Sequence, residues 1–194
     1  MSNLERRMSA GRATVAGTKS HPLLRGMAIV FNERSQDLGG FVEMIMPQAM
    51  ERTIAEGIDL RAFFDHDPAK VLGRQSAGTL RTEVTRQGVT VEIDPPSVTD
   101  PPNLMESIQR GDISGMSFSF RIMPNGEDWK REGGQIVRTV TDMRVYEISV
   151  VSMPAYEQTD VEVALRALRD FEDRAPRTVS QLRARAEARA ASWR

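Results

Sequence analysis

Cysteine is absent from this 194-residue chain, and histidine occurs only twice, at His21 and His66. The lack of cysteine excludes disulfides, thiolate nucleophiles and thiolate zinc sites. His21 lies in a polar segment near the N-terminus, so His66 is almost the only imidazole available as a general base near neutral pH. Any nucleophilic chemistry in this protein should therefore depend on His66.

The chain also lacks a long apolar run and an excess of either charge. No stretch of about 18 apolar residues is present, and the first ten residues lack the apolar centre of a secretory signal. The formal net charge of −1 is too small to attract nucleic acid or a lipid surface as the main partner. We expect a soluble cytoplasmic protein with no membrane partner and no specific nucleic-acid partner.

The length suits one domain with a tail. Residues 1–21 are polar, rich in small side chains and without a clear period, which predicts a flexible leader. Residues 22–159 alternate short apolar runs with turn signals and form the predicted domain. From residue 160 the apolar spacing becomes helical, with Val161, Leu165 and Leu168 on one side, and an Ala- and Arg-rich stretch follows. This pattern predicts a helical tail over residues 160–194.

Within the predicted domain, many short strands are interrupted by two short helices. The helices are predicted at 47–56, behind Pro47, and at 103–110, before Gly111. The strands are predicted at 26–31, 41–46, 60–64, 71–73, 78–84, 88–94, 113–123, 135–141 and 143–152. The fold class is therefore α+β: a mostly antiparallel, closed or nearly closed β-barrel with short helices outside it.

A pair of serines lies in the strand predicted over 113–123. Side chains alternate along a strand, so Met116, Phe118 and Phe120 share one face while Ser117 and Ser119 share the other. The aromatic face should pack against the core. The serines either form the polar side of an amphipathic strand or include a nucleophile.

Two further polar residues are candidates for a role in catalysis. His66 lies between Asp65 and Asp67 at the end of an apolar strand, where it is either a solvated loop residue or a reactive group held by a rigid scaffold. Glu147 lies in the apolar run Val145–Val151, so it occupies an exposed edge position or has a buried partner.

Several segments together resemble a known family, over the stretch from about Leu23 to Val163. They are Arg25–Asn32, Met46–Met50, Asp65–Asp67 followed by Leu72–Gly73, Gly88–Val91, Ile108–Phe120 and Tyr146–Ala155. In order and spacing they resemble the tailed-phage (caudovirus) prohead serine proteases, which mature procapsids and are similar in fold to the herpesvirus assemblins.

The resemblance implies a serine endopeptidase with Ser117 as nucleophile, His66 as general base and Glu147 as the group that orients the imidazole. It implies no cofactor. The implied partners are the major capsid protein and the scaffold segment, and the implied location is the immature capsid in the cytoplasm of the bacterial host. Oligomers of the chain are compatible with the resemblance, and their state stays open.

The chain departs from the family pattern at two positions. Ser119 stands where glycine is usual, which keeps it as a second candidate nucleophile, and Gln48 replaces another usual glycine. The oxyanion donor is not determined, because backbone N–H groups, Arg121 or Arg144 would all serve.

The sequence is compatible with two other functions. One is a catalytically silent assembly protein that keeps the protease fold and binds the capsid protein. The other is a metal-dependent hydrolase with His66, Asp65 and Asp67 as ligands, a poor set because adjacent side chains diverge.

Overall fold

A computed structural model describes residues 4–18, 21–99, 101–152 and 162–174. The strands in this part of the chain are β1 (Glu5–Arg12), β2 (Thr14–Thr18), β3 (His21–Val30), β4 (Val42–Ile45), β5 (Arg61–Phe64), β6 (Asp67–Arg74), β7 (Leu80–Val84), β8 (Gly88–Ile93), β9 (Gly115–Ile122), β10 (Glu127–Glu132), β11 (Gln135–Val140) and β12 (Met143–Val151). The α-helices are α1 (Glu51–Ala55), α2 (Leu104–Arg110) and α3 (Glu162–Arg174), and a 3-10 turn at Pro47–Met50 leads into α1.

The strands form three sheets. A five-stranded sheet has the order β1-β9-β12-β5-β6, a four-stranded sheet has the order β2-β3-β8-β7, and a three-stranded sheet has the order β10-β11-β4. All pairings are antiparallel except β11 with β4 and β12 with β5, so the mostly antiparallel α+β class is confirmed.

The expectation of a closed or nearly closed barrel is wrong. The chain passes from the five-stranded to the four-stranded sheet at Ala13, between β1 and β2. β11 then pairs with β4 rather than with β12, which follows it directly in sequence. Because neighbouring strands in sequence pair with different sheets at these points, the strands form three open sheets rather than one barrel. The similarity in fold to the assemblins stays a prediction.

The N-terminal segment is not a loose leader over the residues that the structure describes there. Residues 5–12 and 14–18 form β1 and β2, at the edges of two sheets. Along β1 more buried and less buried side chains alternate, as is usual in a strand. Two of the buried side chains are charged, namely Glu5 and Arg7, which are 1% and 6% exposed. The division into a domain at 22–159 and a tail at 160–194 stays a prediction.

Both predicted short helices are confirmed, and the predicted strands at 78–84 and 88–94 pair as a hairpin. Pro47 opens the turn that precedes α1, as its fixed φ favours at a helix start. α2 ends at Gly111, whose φ of +85° is the left-handed conformation that glycine adopts at helix C-termini. β7 and β8 pair antiparallel from Leu80–Ile93 to Val84–Val89.

The main core lies on the inner faces of the five-stranded and four-stranded sheets. It includes Phe118 and Phe120 from β9, Ile148 and Val150 from β12, and Leu24 from β3. The opposite face of the five-stranded sheet carries Ser117, Ser119 and Ser149, which are buried as well.

A second, smaller core lies under α3. Ala164 and Leu168 of this helix pack with Leu38, Phe41 and Ile136. α3 forms part of the predicted helical tail, and the rest of residues 160–194 lies outside the described residues. No described helix is both long enough and apolar enough to cross a membrane.

Candidate active site

His66 lies in the tight turn that joins β5 to β6. Phe64 pairs with Asp67 across this hairpin, which leaves Asp65 and His66 as the two turn residues. Their φ angles are +50° and +58°, as in the type I′ turns that suit the twist of a two-residue hairpin. The turn directs the imidazole towards β12 and β9, the central strands of the five-stranded sheet.

Ser117 and Ser119 lie on the face of β9 that points away from the main core. Met116, Phe118 and Phe120 are exposed by 2% or less on the other face, so the predicted aromatic side is confirmed. Across the ladder, Ser117 is opposite Ser149 and Ser119 is opposite Glu147 of β12. We call this side of the sheet the serine face.

A β-bulge places Glu147 on the serine face. Val145 is opposite Phe120 and Glu147 is opposite Ser119, so Tyr146 is an extra residue in β12. Without the bulge, strict alternation would place Tyr146 opposite Ser119 and direct Glu147 into the apolar core. The bulge therefore explains how a carboxylate fits in this otherwise apolar strand.

The three residues proposed from the sequence meet in one chain of hydrogen bonds. His66 Nδ1 is 2.6 Å from Glu147 Oε1, and His66 Nε2 is 2.8 Å from Ser117 Oγ. An ionised carboxylate only accepts, so Nδ1 carries the proton and Nε2 is left to accept from the serine hydroxyl. The hydroxyl also lies 3.0 Å from the backbone carbonyl of Arg7 in β1.

Two other hydroxyls surround Glu147. Ser149 Oγ donates to Glu147 Oε2 at 2.6 Å, and Ser119 Oγ donates to Oε1. Burial raises the pKa of Glu147, but the hydrogen bond and charge of His66 and the two serine hydroxyls outweigh it and hold the pKa below its ordinary value. Glu147 is therefore ionised at neutral pH.

The two candidate nucleophiles have different partners. Ser117 contacts His66 Nε2, whereas the Ser119 hydroxyl is bonded to Glu147. A serine needs a base within hydrogen-bond reach to become nucleophilic. The geometry therefore favours Ser117. Its side chain is buried, with 1% exposed, beneath His66 and beside Met8 of β1.

The arginines considered as oxyanion donors lie away from Ser117. Arg121 is four residues along β9, about 13 Å at the usual strand rise, and its guanidinium stacks on Tyr146. Arg144 is opposite Arg121 and pairs with Glu56 at 2.5 Å. Backbone N–H groups remain as the other candidates from the sequence.

The metal-site alternative has no geometric support. Among the described residues no group of three or more histidine, aspartate and glutamate side chains converges as ligands. Asp67 accepts from the backbone N–H of Ala69 at 2.9 Å, while Asp65 accepts from Ser152, so the two carboxylates beside His66 point to different neighbours.

Sequence reasoning missed the residues that support this group. Ser149 and Ser152 lie in the Tyr146–Ala155 segment that carries part of the resemblance, but nothing in the sequence singles them out, and Arg7 lies before the stretch that the resemblance covers. Strand alternation could have placed Ser149 beside Glu147, but the contact of β1 with Ser117 depends on long-range pairing.

A family model described as Caudovirus prohead serine protease matches residues 8–174. The chain belongs to this family. The match includes the β5–β6 turn, β9 and β12, which carry the whole hydrogen-bonded chain from Glu147 to Ser117. No curated protein and no solved structure matches the chain. Membership in the prohead serine protease family indicates a serine protease of phage capsid maturation.

Proposed function

We propose that this protein is a serine endopeptidase that processes procapsid proteins, with Ser117, His66 and Glu147 as its catalytic residues. The observation that carries the proposal is the position of His66, whose two ring nitrogens lie within hydrogen-bond distance of a serine hydroxyl and a buried carboxylate. Family membership supports the class of reaction, and this geometry supports the choice of residues.

The reaction would begin when Ser117 Oγ attacks the scissile carbonyl carbon while His66 Nε2 takes the hydroxyl proton. The imidazolium formed would be stabilised by Glu147, and it would give its proton to the leaving amine as the peptide bond breaks. Water, deprotonated by the same imidazole, would then attack the acyl-enzyme and release the carboxylic acid and Ser117.

The proposed substrates are the major capsid protein, a scaffold segment and the chain itself, inside the immature capsid in the bacterial cytoplasm. Family membership supports association with the prohead.

Co-expression with the major capsid protein of the same phage or prophage tests the proposal. We expect intact-mass spectrometry to show trimming with the parent and none with Ser117→Ala. The matched variant Ser119→Ala removes a second hydroxyl from the same strand and should retain trimming at a lower rate. Trimming that survives Ser117→Ala would refute the proposed nucleophile.

A second candidate is a catalytically silent assembly protein, which the burial of Ser117 favours. A side chain beside Ser117 must move before a substrate carbonyl can reach Oγ, because only 1% of the residue is exposed. Shells that assemble with the parent but show no trimming would support this candidate. Labelling of Ser117 by a fluorophosphonate would refute it, because such probes react only with activated serines.

A further inference from the structure

The turn that carries His66 has an unusual backbone. Only four described non-glycine residues have clearly positive φ angles, and two of them, Asp65 and His66, are consecutive in this turn. Such conformations are unfavourable for non-glycine residues and persist only where the surroundings hold them. The neighbouring structure must therefore hold the turn in place.

Asp65 ties the turn to the end of β12. Its Oδ1 accepts from the backbone N–H of Ser152 at 2.7 Å, and its Oδ2 accepts from the Ser152 hydroxyl at 2.8 Å. Its own N–H donates to the carbonyl of Val150 at 2.9 Å. We call the two carboxylate bonds to Ser152 the Asp65–Ser152 clamp.

The clamp joins the turn to the strand that carries Glu147. Ser152 follows β12 directly and lies five residues after Glu147, so the clamp fixes the base of the His66 turn relative to the carboxylate that bonds His66 Nδ1. On the other side of the turn, Asp67 accepts from the N–H of Ala69 at 2.9 Å and pairs with Lys70 at 3.7 Å, and both partners lie in its own strand, β6. The two aspartates beside His66 therefore act on different elements.

We propose that Asp65 is a positioning residue, which acts through Ser152 to hold the His66 imidazole in line between Glu147 and Ser117. This proposal rests on the proposed function. Asp65 and Ser152 are both exposed, so their bonds contribute little to global stability. Catalysis is far more sensitive, because a misplacement of about 1 Å can cost about 100-fold in rate.

The full chain tests the proposal through four variants. Asp65→Gly removes the clamp but adopts the same φ without strain. Asp65→Asn keeps one oxygen able to accept from the Ser152 N–H, and Ser152→Ala removes only the hydroxyl bond. Asp67→Asn is the matched control, since it changes the other aspartate beside His66.

Two measurements are made on each variant. The first is kcat and KM on a peptide that spans the cut site identified in the capsid protein. The second is the low-field proton resonance of His66 Nδ1, which reports the bond to Glu147 without any turnover. His21→Gln assigns this resonance, because it leaves a single histidine in the chain.

For Asp65→Gly we expect kcat to fall at least about 10-fold, KM to stay within about 2-fold, and the His66 resonance to shift or broaden. The kcat and the His66 resonance of Asp65→Asn and Ser152→Ala should lie between those of Asp65→Gly and the parent. Both measurements should match the parent for Asp67→Asn. If Asp65→Gly does not fold, the same two measurements on Asp65→Asn and Ser152→Ala test the proposal.

Parental kcat and an unchanged His66 resonance in the clamp variants would overturn the proposal. A uniform loss in all four variants would also overturn it, because the effect would then not belong to Asp65. A parent that cleaves nothing would refute the proposed function, whereas a His66 resonance that still responds to Asp65 and not to Asp67 would support the positioning role alone.

Discussion

Glu147 is a carboxylate in a strand of apolar residues, and its neighbours explain how it can be there. His66 and Ser119 bond one carboxylate oxygen, and Ser149 bonds the other. A buried carboxylate costs several kcal/mol unless such partners satisfy it. The serine that replaces the family's usual glycine at position 119 thus supplies an extra hydrogen bond to Glu147.

Replacement of Glu147 by glutamine should remove most of the activity. The amide keeps the shape of the side chain, but its NH2 group can donate to His66 and stabilise the tautomer with its proton on Nε2. The corresponding change in the serine protease triad lowers kcat by about 10⁴-fold, and we expect a loss of this order for Glu147→Gln. Peptide cleavage rates would measure it, and retention of more than a tenth of the parental rate would contradict the role of Glu147.

The same variant should change how stability depends on pH. Because the folded protein holds the pKa of Glu147 below its ordinary value, this group stabilises the fold above the unfolded pKa, and the contribution is lost as pH falls through the folded pKa. Denaturant midpoints measured from pH 7 to pH 3 should therefore fall less steeply for Glu147→Gln than for the parent. Parallel curves would argue against a lowered pKa.

At the scale of elements, the sequence predicted those whose patterning is local and apolar. The α1 and α2 segments carry proline and glycine end signals, and the β7–β8 hairpin has a short turn at residues 85–87. β1 was missed because its buried face carries Glu5 and Arg7, which periodicity counts as polar. β10 was missed because its sequence, Glu-Asp-Trp-Lys-Arg-Glu, is polar and mostly exposed.

The site was predictable only where its residues lie in local sequence motifs. His66, Ser117 and Glu147 came from a resemblance of motifs, and the structure brings their side chains together. The β-bulge at Tyr146 and the contact of Ser117 with the Arg7 carbonyl were not predictable, because both depend on strand register. Register is set by pairing between distant segments, which a single sequence does not display.

Helix α3 packs on the small core, none of whose residues belongs to the proposed site. Leu168, which is 7% exposed, contacts the cluster of Leu38, Phe41 and Ile136, and Phe171 stacks on Trp129. Leu168→Ala should lower the free energy of unfolding, or of undocking α3, by about 2–5 kcal/mol. The exposed Arg169→Ala is the matched control and should change it by less than about 0.5 kcal/mol.

Tryptophan fluorescence during denaturation would follow this change if Trp193 is replaced by Phe in every variant, so that only Trp129 emits. The residual cleavage rate at low denaturant would show whether the site is affected. We expect the rate to be unchanged, because α3 packs against Leu38, Phe41 and Ile136, none of which belongs to the proposed site. A fall in kcat for Leu168→Ala under conditions where the protein stays folded would show that α3 is coupled to the site.

Across the whole molecule, a buried cluster of charges joins the five-stranded sheet to the three-stranded sheet. Arg138 of β11 bonds Glu5 of β1 and Glu43 of β4, each at 2.7 Å, and Arg7 of β1 bonds the same two glutamates. All four residues are exposed by 6% or less. Because Arg7 also supplies the carbonyl beside Ser117, this cluster fixes the strand that borders the proposed nucleophile.

Arg138→Met should destabilise the whole fold, because it leaves two buried glutamates to share the single cation of Arg7. Removing one partner of a buried ion pair typically costs about 3–5 kcal/mol, whereas an exposed pair is worth about 0–1 kcal/mol. The matched control is Arg34→Met, which breaks the exposed 2.7 Å pair of Arg34 with Glu132. Urea denaturation at pH 7 would compare the two variants with the parent, and equal losses would contradict a structural role for the cluster.

Acid should weaken the same buried charge cluster in the parent. Burial raises the pKa of Glu43, but Arg7 and Arg138 outweigh it and hold the pKa below its ordinary value, so the ionised form stabilises the fold. This stabilisation is complete above the unfolded pKa of about 4.3 and is lost as pH falls through the folded value. Glu43→Gln should therefore be less stable than the parent at pH 7 and approach it near pH 3. A constant difference between the two denaturation curves across this range would show that Glu43 does not titrate as an ion-paired carboxylate, and that packing alone joins the two sheets at this point.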